Sequence, residues 1–376
     1  MAPRGGMRRL FTSQNILIFL GVLSVVLVIL IYNKLLFPGT FTTDSERFYR
    51  SDRLENRKDQ LHKPDGQPLE TPLAGVSELE FSVPEEIDVI ITFTKAKDNW
   101  QLADKFRRCV ASLVKHSSVM LAFHIIGDKD SQQIAEKILK EVDSGTAAKH
   151  RVVHLDIDTM AKELHSIVLP MQKYFSYKPG SYYSDSLFFL SAAIHRVVPE
   201  TMHRVIMLDA DLKFREDIAK LYQKFNDFKE HNVIGIAYEG QPVYRHTFWK
   251  YRQENPSTRV GDPPPKGLPG FNSGVLLLDL HRMRNSKHYN SLINEQVLEE
   301  QTKKYSFKGH LGDQDFFTLI SIEHEELFYV LPCNWNRQLC KYWRDKGYES
   351  VFDLYFKCEG PIYVYHGNCH TPIPED

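Results

Sequence analysis

Three short apolar runs, each separated from the next by a helical period, constrain this chain more than any other feature. Ile87-Asp88-Val89-Ile90-Ile91-Thr92-Phe93 is β-branched and nearly all apolar, as a strand covered on both faces would be. From Asn99 to Val114, Leu102, Phe106, Cys109, Val110 and Leu113 recur at helical spacing. Met120 to Ile126 reads as a second strand closed by Gly127-Asp128, Gln132 to Val142 as a second helix, and Arg151 to Ile157 as a third strand. Such alternation calls for an α/β fold with parallel strands and crossover helices. A helix is predicted over about Tyr183 to Val197, closed by Pro199, and then a strand, Arg204-Val205-Ile206-Met207-Leu208. That strand runs directly into Asp209-Ala210-Asp211. Ligands of open α/β sheets sit beyond the carboxyl ends of the strands, so these carboxylates stand at a reactive edge.

The N-terminal part has a different character. Arg4, Arg8 and Arg9 precede an apolar run from Ile16 to Tyr32, just long enough at about 1.5 Å per residue to cross a thin bilayer as a helix. A cleaved signal would want small residues, and Ile29-Leu30-Ile31-Tyr32-Asn33-Lys34 offers bulky ones. The expected layout is a cytosolic tail (1–15), a transmembrane signal anchor (16–32), a polar stem broken by Pro and Gly (33–84) and a luminal body (85–376). That topology is single-pass, type II. Cys333, Cys340, Cys358 and Cys369 crowd late in the chain while Cys109 stands alone, which predicts two disulfides in one of three pairings. No Cys-x-x-Cys occurs among them, so a zinc knuckle is the weaker reading. Net charge is −1, leaving no global basic field to draw the protein to nucleic acid.

Within Leu208-Asp209-Ala210-Asp211-Leu212, alternate residues of an extended chain project to the same side, so both carboxylates can face one cation. Hard divalent ions take carboxylate and phosphate oxygens together and stabilise charge developing on a diphosphate leaving group. The plainer reading is a solvated turn after a buried strand. Phosphatases that form an aspartyl-phosphate also use Asp-x-Asp, but after their first strand and with Thr or Val where this chain has Lys213. Walker, Gly-x-Gly-x-x-Gly, Gly-x-Ser-x-Gly and His-Glu-x-x-His motifs are absent from the sequence.

Three further clusters are dense in polar groups. Gly270-Phe271-Asn272-Ser273-Gly274 stands before the apolar Val275-Leu276-Leu277-Leu278, where short side chains let a sugar approach closely or simply make a turn. Tyr244 to Trp249, with Asp262-Pro263-Pro264-Pro265 after it, reads as an acceptor-facing loop. Gly309-His310-Leu311-Gly312-Asp313-Gln314-Asp315-Phe316-Phe317 offers an Asp or Gln to a reacting sugar, and Asp313 also suits a helix N-cap. Late in the chain, Val364-Tyr365-His366-Gly367-Asn368 places a histidine after a short strand.

Ile90 to Thr94, Val205 to Asp211, Phe271-Asn272-Ser273-Gly274-Val275, Gly312-Asp313-Gln314-Asp315 and His366-Gly367 together resemble, in order, the family-eight retaining glycosyltransferases, the group that includes glycogenin. The resemblance implies a GT-A fold, a Rossmann-like nucleotide-sugar domain with a mixed sheet, divided into a nucleotide-binding half (85–211) and an acceptor-binding half (212–376). Pro242 to Trp249, Gly309 to Phe317 and Trp335-Asn336-Arg337-Gln338-Leu339-Cys340 bring it closer to members that transfer xylose. Those members imply UDP-xylose as donor, Mn²⁺ as cofactor with Mg²⁺ as substitute, and residence in the endoplasmic reticulum membrane, with the Golgi as alternative. They also imply an α-1,3 bond to xylose on O-glucosylated EGF-like repeats such as those of Notch. By the same resemblance, Asp209, Asp211 and His366 hold the metal, Thr92, Phe93, Thr94 and Lys95 lie against the uridine, and Ala210 lies beside the nucleotide. Asn272 and Ser273 contact the donor sugar, and Gln314 sits near the anomeric carbon. Asp313 or Asp315 is the candidate nucleophile should the reaction be a double displacement. Many family members follow the late His with a Lys that binds the diphosphate. Here the chain reads Gly367-Asn368-Cys369-His370-Thr371-Pro372, so Asn368, Trp343 or His370 is expected to share that role. A transferase using UDP-glucose or UDP-galactose, and a sugar-binding module without activity, remain as alternatives.

Overall fold

β1 (Glu86–Thr92) alternates its side chains between two cores: Ile87, Val89 and Ile91 face one, while Ile90 faces the other. Such a strand must be covered on both sides, and the chain covers it. A computed structural model describes residues 82–142, 150–176 and 186–375. The signal anchor expected at 16–32 and nearly all of the stem lie outside these residues. Among the described residues no helix is long and apolar enough to cross a membrane.

α1 (Trp100–His116) follows β1, its first turn capped by the Asn99 side chain accepting from the Leu102 amide. Then come β2 (Met120–Gly127), α2 (Lys129–Val142) and β3 (His150–Asp156). α1 and α2 press Phe106, Val110, Leu113, Ala135 and Leu139 onto the face that carries Val89 and Ile91. Asp156 caps α3 (Ile157–Glu163), and α4 (His165–Phe175) runs on from it. β4 (Arg204–Leu208) then returns to the other side of β1, with Ile91 opposite Leu208. Seven strands form the main sheet in the order β3-β2-β1-β4-β7-β6-β8, with β6 at Ile234–Tyr238, β7 at Phe271–Asp279 and β8 at Phe328–Leu331. β1 to β4 run parallel, and β7 is antiparallel to both β4 and β6. The sheet is therefore mixed, as expected. Its strand order reverses between β1 and β4, the position where open α/β sheets leave a crevice for ligands. A second sheet, β5-β10-β9, joins Leu212–Phe214 (β5), Arg337–Gln338 (β9) and Val364–His366 (β10), and so ties the end of the chain to the residues after Asp211.

Some elements differ from expectation. In place of one helix over 183–197, whose first three residues lie outside those described, there are short turns: Ser186–Phe189, Leu190–Ala193 and Ile194–Arg196. Tertiary contacts take the carbonyls a continuous helix would use. The Tyr289 hydroxyl donates to Ala192 O at 2.7 Å and Arg284 Nε donates to His195 O at 2.9 Å. Tyr244 to Trp249 is not a loop but parts of two short helices, Val243–Thr247 and Trp249–Glu254. Gly312 rather than Asp313 stands at the N-cap of α5 (Asp313–Ser321), at a φ of 73° that favours glycine, which leaves Asp313 and Asp315 in the first turn. Of the three possible pairings the disulfides are Cys333–Cys358 and Cys340–Cys369, and Cys109 is free and buried.

Candidate active site

Asp209 and Asp211 leave the carboxyl end of β4 beside that of β1, and β10 brings in His366 from the far end of the chain. His366 Nε2 lies 3.4 Å from an Asp209 oxygen and 3.3 Å from an Asp211 oxygen. One donor atom from each residue falls within 4.8 Å of the others. The convergence needs a bare backbone at Gly274, where a Cβ would stand 2.3 Å from the His366 ring and 3.1 Å from an Asp209 oxygen. This explains Ser273-Gly274 in the sequence better than a plain turn does.

The electrostatics suit a cation. Burial opposes ionisation of Asp211, but the hydrogen bond and charge of His366, with Lys105, hold its carboxyl well below the usual carboxylate range. Burial likewise disfavours a charged His366, yet its contacts with Asp209 and Asp211 push its pKa up to about 10. Two carboxylates and an imidazole are a donor set that Mn²⁺ or Mg²⁺ accepts. The imidazolium supplies positive charge where such an ion would sit.

A chain of hydrogen bonds orients that imidazole. His366 Nδ1 donates to Asn336 Oδ1 at 2.9 Å, Asn336 Nδ2 to Asn272 Oδ1 at 2.9 Å, and Asn272 Nδ2 to Glu239 Oε2 at 3.1 Å. Every donor points toward the buried Glu239, so Nδ1 keeps its proton; Nε2 donates to the aspartates when protonated and, once deprotonated, offers its lone pair to a cation held between them. Burial pushes the Glu239 carboxyl up to about 7.

The other expected residues fall into distinct places. Thr92 and Thr94 are half-buried where β1 ends, and Lys95 is exposed with its amide donating to Asp128. Phe93 stacks on Phe106 at 4.4 Å and its ring is fully buried in the core, so its side chain offers no face to a nucleotide. Ala210 is half-buried between the two aspartates. Asn272 is buried in the relay, and the Ser273 hydroxyl donates to Asp313 at 2.8 Å. Ser191 donates to the other Asp313 oxygen, and burial pushes that carboxyl up to about 7. Gln314 Nε2 donates to the Tyr244 hydroxyl at 3.2 Å, and that hydroxyl donates to Asp315 at 2.8 Å. Asp315 has no exposed surface and also accepts the His310 and Leu311 amides. It braces the loop before α5 and presents no free face to a substrate. Trp343 is half-buried against the His246 ring at 4.7 Å. Asn368 Oδ1 accepts the Leu339 and Cys340 amides, so its carbonyl latches the disulfide-bonded turn.

Three residues at the site escaped the sequence reading. Asn336 was visible only inside a longer stretch. Glu239 follows the apolar β6 as Asp209 follows β4, and the same signal of a carboxylate ending a buried strand marks it. Lys105 carries no local signal: it sits on α1, and the fold alone brings its Nζ within 3.3 Å of Asp211 and 3.2 Å of His370 Nδ1.

Comparison with known proteins places the chain in a family. Residues 98–354 match the model of Glycosyl transferase family 8. The chain is 50% identical over 299 residues to mouse xyloside xylosyltransferase 1, covering 78% of this chain and 76% of that protein. It is 49% identical over 298 residues to the human protein of the same name, with the same coverage. The crystal structure of the mouse protein in its apo form superposes with a TM-score of 0.73 at 49% identity, over 77% of this chain and 100% of that one. The chain therefore belongs to glycosyl transferase family 8.

Proposed function

We propose that this chain transfers xylose from UDP-xylose to a xyloside, with retention, in α-1,3 linkage to xylose on O-glucosylated EGF-like repeats. The observation that carries the reading is the convergence of Asp209, Asp211 and His366 at the mouth of the sheet. The names of the two relatives near 50% identity support the donor and the acceptor class. Asp209, Asp211 and His366 would hold Mn²⁺, or Mg²⁺ in its place, and the ion would stabilise negative charge on the departing diphosphate. The backbone of Thr92, Phe93 and Thr94, with Lys95 and Ala210, lies against the uridine in this reading, and Asn272 and Ser273 face the sugar. The half-buried Lys105 ammonium, already beside Asp211 and His370, supplies the cation next to the phosphates that the late motif lacks.

Gln314 orients donor and acceptor while the acceptor hydroxyl attacks the anomeric carbon from the side the diphosphate leaves. The bond from C1 to the diphosphate breaks, the bond from C1 to the acceptor oxygen forms, and the hydroxyl proton passes to the leaving oxygen. The hydrogen bonds on both oxygens of Asp313 and on the buried Asp315 favour this course over attack by either carboxylate. For location we propose the endoplasmic reticulum membrane, type II, with the Golgi as alternative; the two disulfides support an oxidising lumen. A panel of UDP-sugars with Mn²⁺ and an O-xylosylglucosyl EGF-like acceptor tests the reading. Turnover should be greatest with UDP-xylose and fall at least ~100-fold in Asp211→Asn. Equal turnover by that variant, or a preference for UDP-glucose or UDP-galactose, would reject it.

A further inference from the structure

A second group of metal-ligating side chains lies apart from the transferase machinery. His288 Nε2 is 3.2 Å from Glu326 Oε1, and His324 Nδ1 is 3.7 Å from the same oxygen. One donor atom from each of the three residues lies within 4.8 Å of the others. Metal–ligand bonds of about 2.0–2.1 Å in a tetrahedral shell place neighbouring donors roughly 3.3–3.4 Å apart. The two distances here bracket that edge. The His288 and His324 rings meet edge to face, with centroids 4.7 Å apart and planes at 79°.

Both sides of the cluster are built on fixed backbone. His288 belongs to the helix Lys287–Leu292, which is capped by Ser286 and anchored by the fully buried Tyr289, whose hydroxyl reaches Ala192 O. The His324 amide donates to Ile320 O, just past α5, and its carbonyl accepts from the Leu327 amide. The carbonyl of Glu326 accepts from Asn232 at 2.8 Å. Ordinary ion pairs at a half-exposed surface contribute little and need no such scaffold.

We infer that His288, His324 and Glu326 form a zinc site, distinct from the Asp209, Asp211 and His366 cluster. Two imidazoles and one carboxylate are a set that Zn²⁺ binds with a fourth position left for water, and imidazole prefers Zn²⁺ over Mn²⁺ or Mg²⁺. His288 and Glu326 are about half exposed, so an ion can enter and a water can complete the shell. The ion would pin the helix Lys287–Leu292 to the segment that leads from α5 into the edge strand β8. It would thus brace the C-terminal end of the helix whose first turn holds Asp313 and Gln314. Its role in this reading is structural.

The test is a titration of the full-length chain with Zn²⁺ against a colorimetric chelator, in an Asp211→Asn background that disables the other cluster. One equivalent of Zn²⁺ should bind and raise the melting temperature. Adding His288→Ala or Glu326→Gln should weaken that binding at least ~10-fold and abolish the thermal shift, while UDP binding in the otherwise unaltered chain stays the same. Should either substitution disturb folding, Co²⁺ added to the Asp211→Asn chain should give the intense visible bands of a four-coordinate ion. Absence of the zinc equivalent or of these bands in Asp211→Asn, or its persistence in a folded His288→Ala chain, overturns the inference.

Discussion

Glu239 offers the sharpest test of how the interior of this protein supports its site. Burial pushes its pKa up to about 7, outweighing the hydrogen bond from Asn272 and the charge of His366. In the unfolded chain the same carboxyl ionises near 4.3. Between these values the folded protein keeps a proton that the unfolded chain has released. Stability therefore falls as pH rises through this window, and the loss is complete above pH 7. A gap of two to three pH units corresponds to roughly 3 kcal/mol. Glu239→Gln keeps an oxygen for Asn272 Nδ2 and removes the ionisation. The stability of the variant relative to the parent should rise by about 2–3 kcal/mol between pH 5 and pH 8, read from urea midpoints followed by tryptophan fluorescence. Asp313 and Asp315, whose carboxyls burial also pushes up to about 7, contribute equally to both proteins and cancel in the difference. Mn²⁺ affinity should survive in Glu239→Gln, because the relay still ends on an acceptor. Glu239→Leu leaves Asn272 Nδ2 without one and should weaken Mn²⁺ at least ~10-fold. If parent and Glu239→Gln respond identically to pH, Glu239 is ionised throughout and the burial argument is wrong.

Lys105→Ala should weaken UDP by ~10-fold or more while changing UMP binding less, as calorimetry would show, since a charge-assisted contact to the diphosphate contributes about 1.5–3 kcal/mol. Equal losses for both nucleotides would place Lys105 on Asp211 alone. Cys340→Ser opens a disulfide spanning 29 residues and should cost about 3–4 kcal/mol in urea unfolding. It should also weaken Mn²⁺, because Cys369 lies three residues from His366; unchanged metal affinity would detach the bridge from the site. Gln314→Ala should lower kcat and leave the KM for donor nearly unaltered, whereas a raised KM at constant kcat would make Gln314 a binding residue only.

The strands, the first two helices and the Asp-x-Asp edge were legible because each rests on local periodicity. A short, β-branched apolar run bounded by turn residues reads as a covered strand, and Asp209 follows the last residue of β4 wherever that strand packs. The segment 186–197 departs from a single helix for the converse reason: residues 189–195 are all buried, and Tyr289 and Arg284 claim the carbonyls that would have closed a helix. Phe93 stands in the motif that resembles the nucleotide-binding strand, while strand alternation turns its ring onto Phe106 in the core.

By itself the sequence determined the α/β class, the Asp-x-Asp edge and the number of disulfides, since those follow from which residues are neighbours along the chain. Only the tertiary structure decided which cysteines pair, that His366 faces Asp209 and Asp211, and that Glu239 and Lys105 belong to the same site. Those contacts join residues from 25 apart (Cys333 and Cys358) to 157 apart (Asp209 and His366), and their energies depend on burial and mutual charge. Both quantities exist only once the sheet has closed around them.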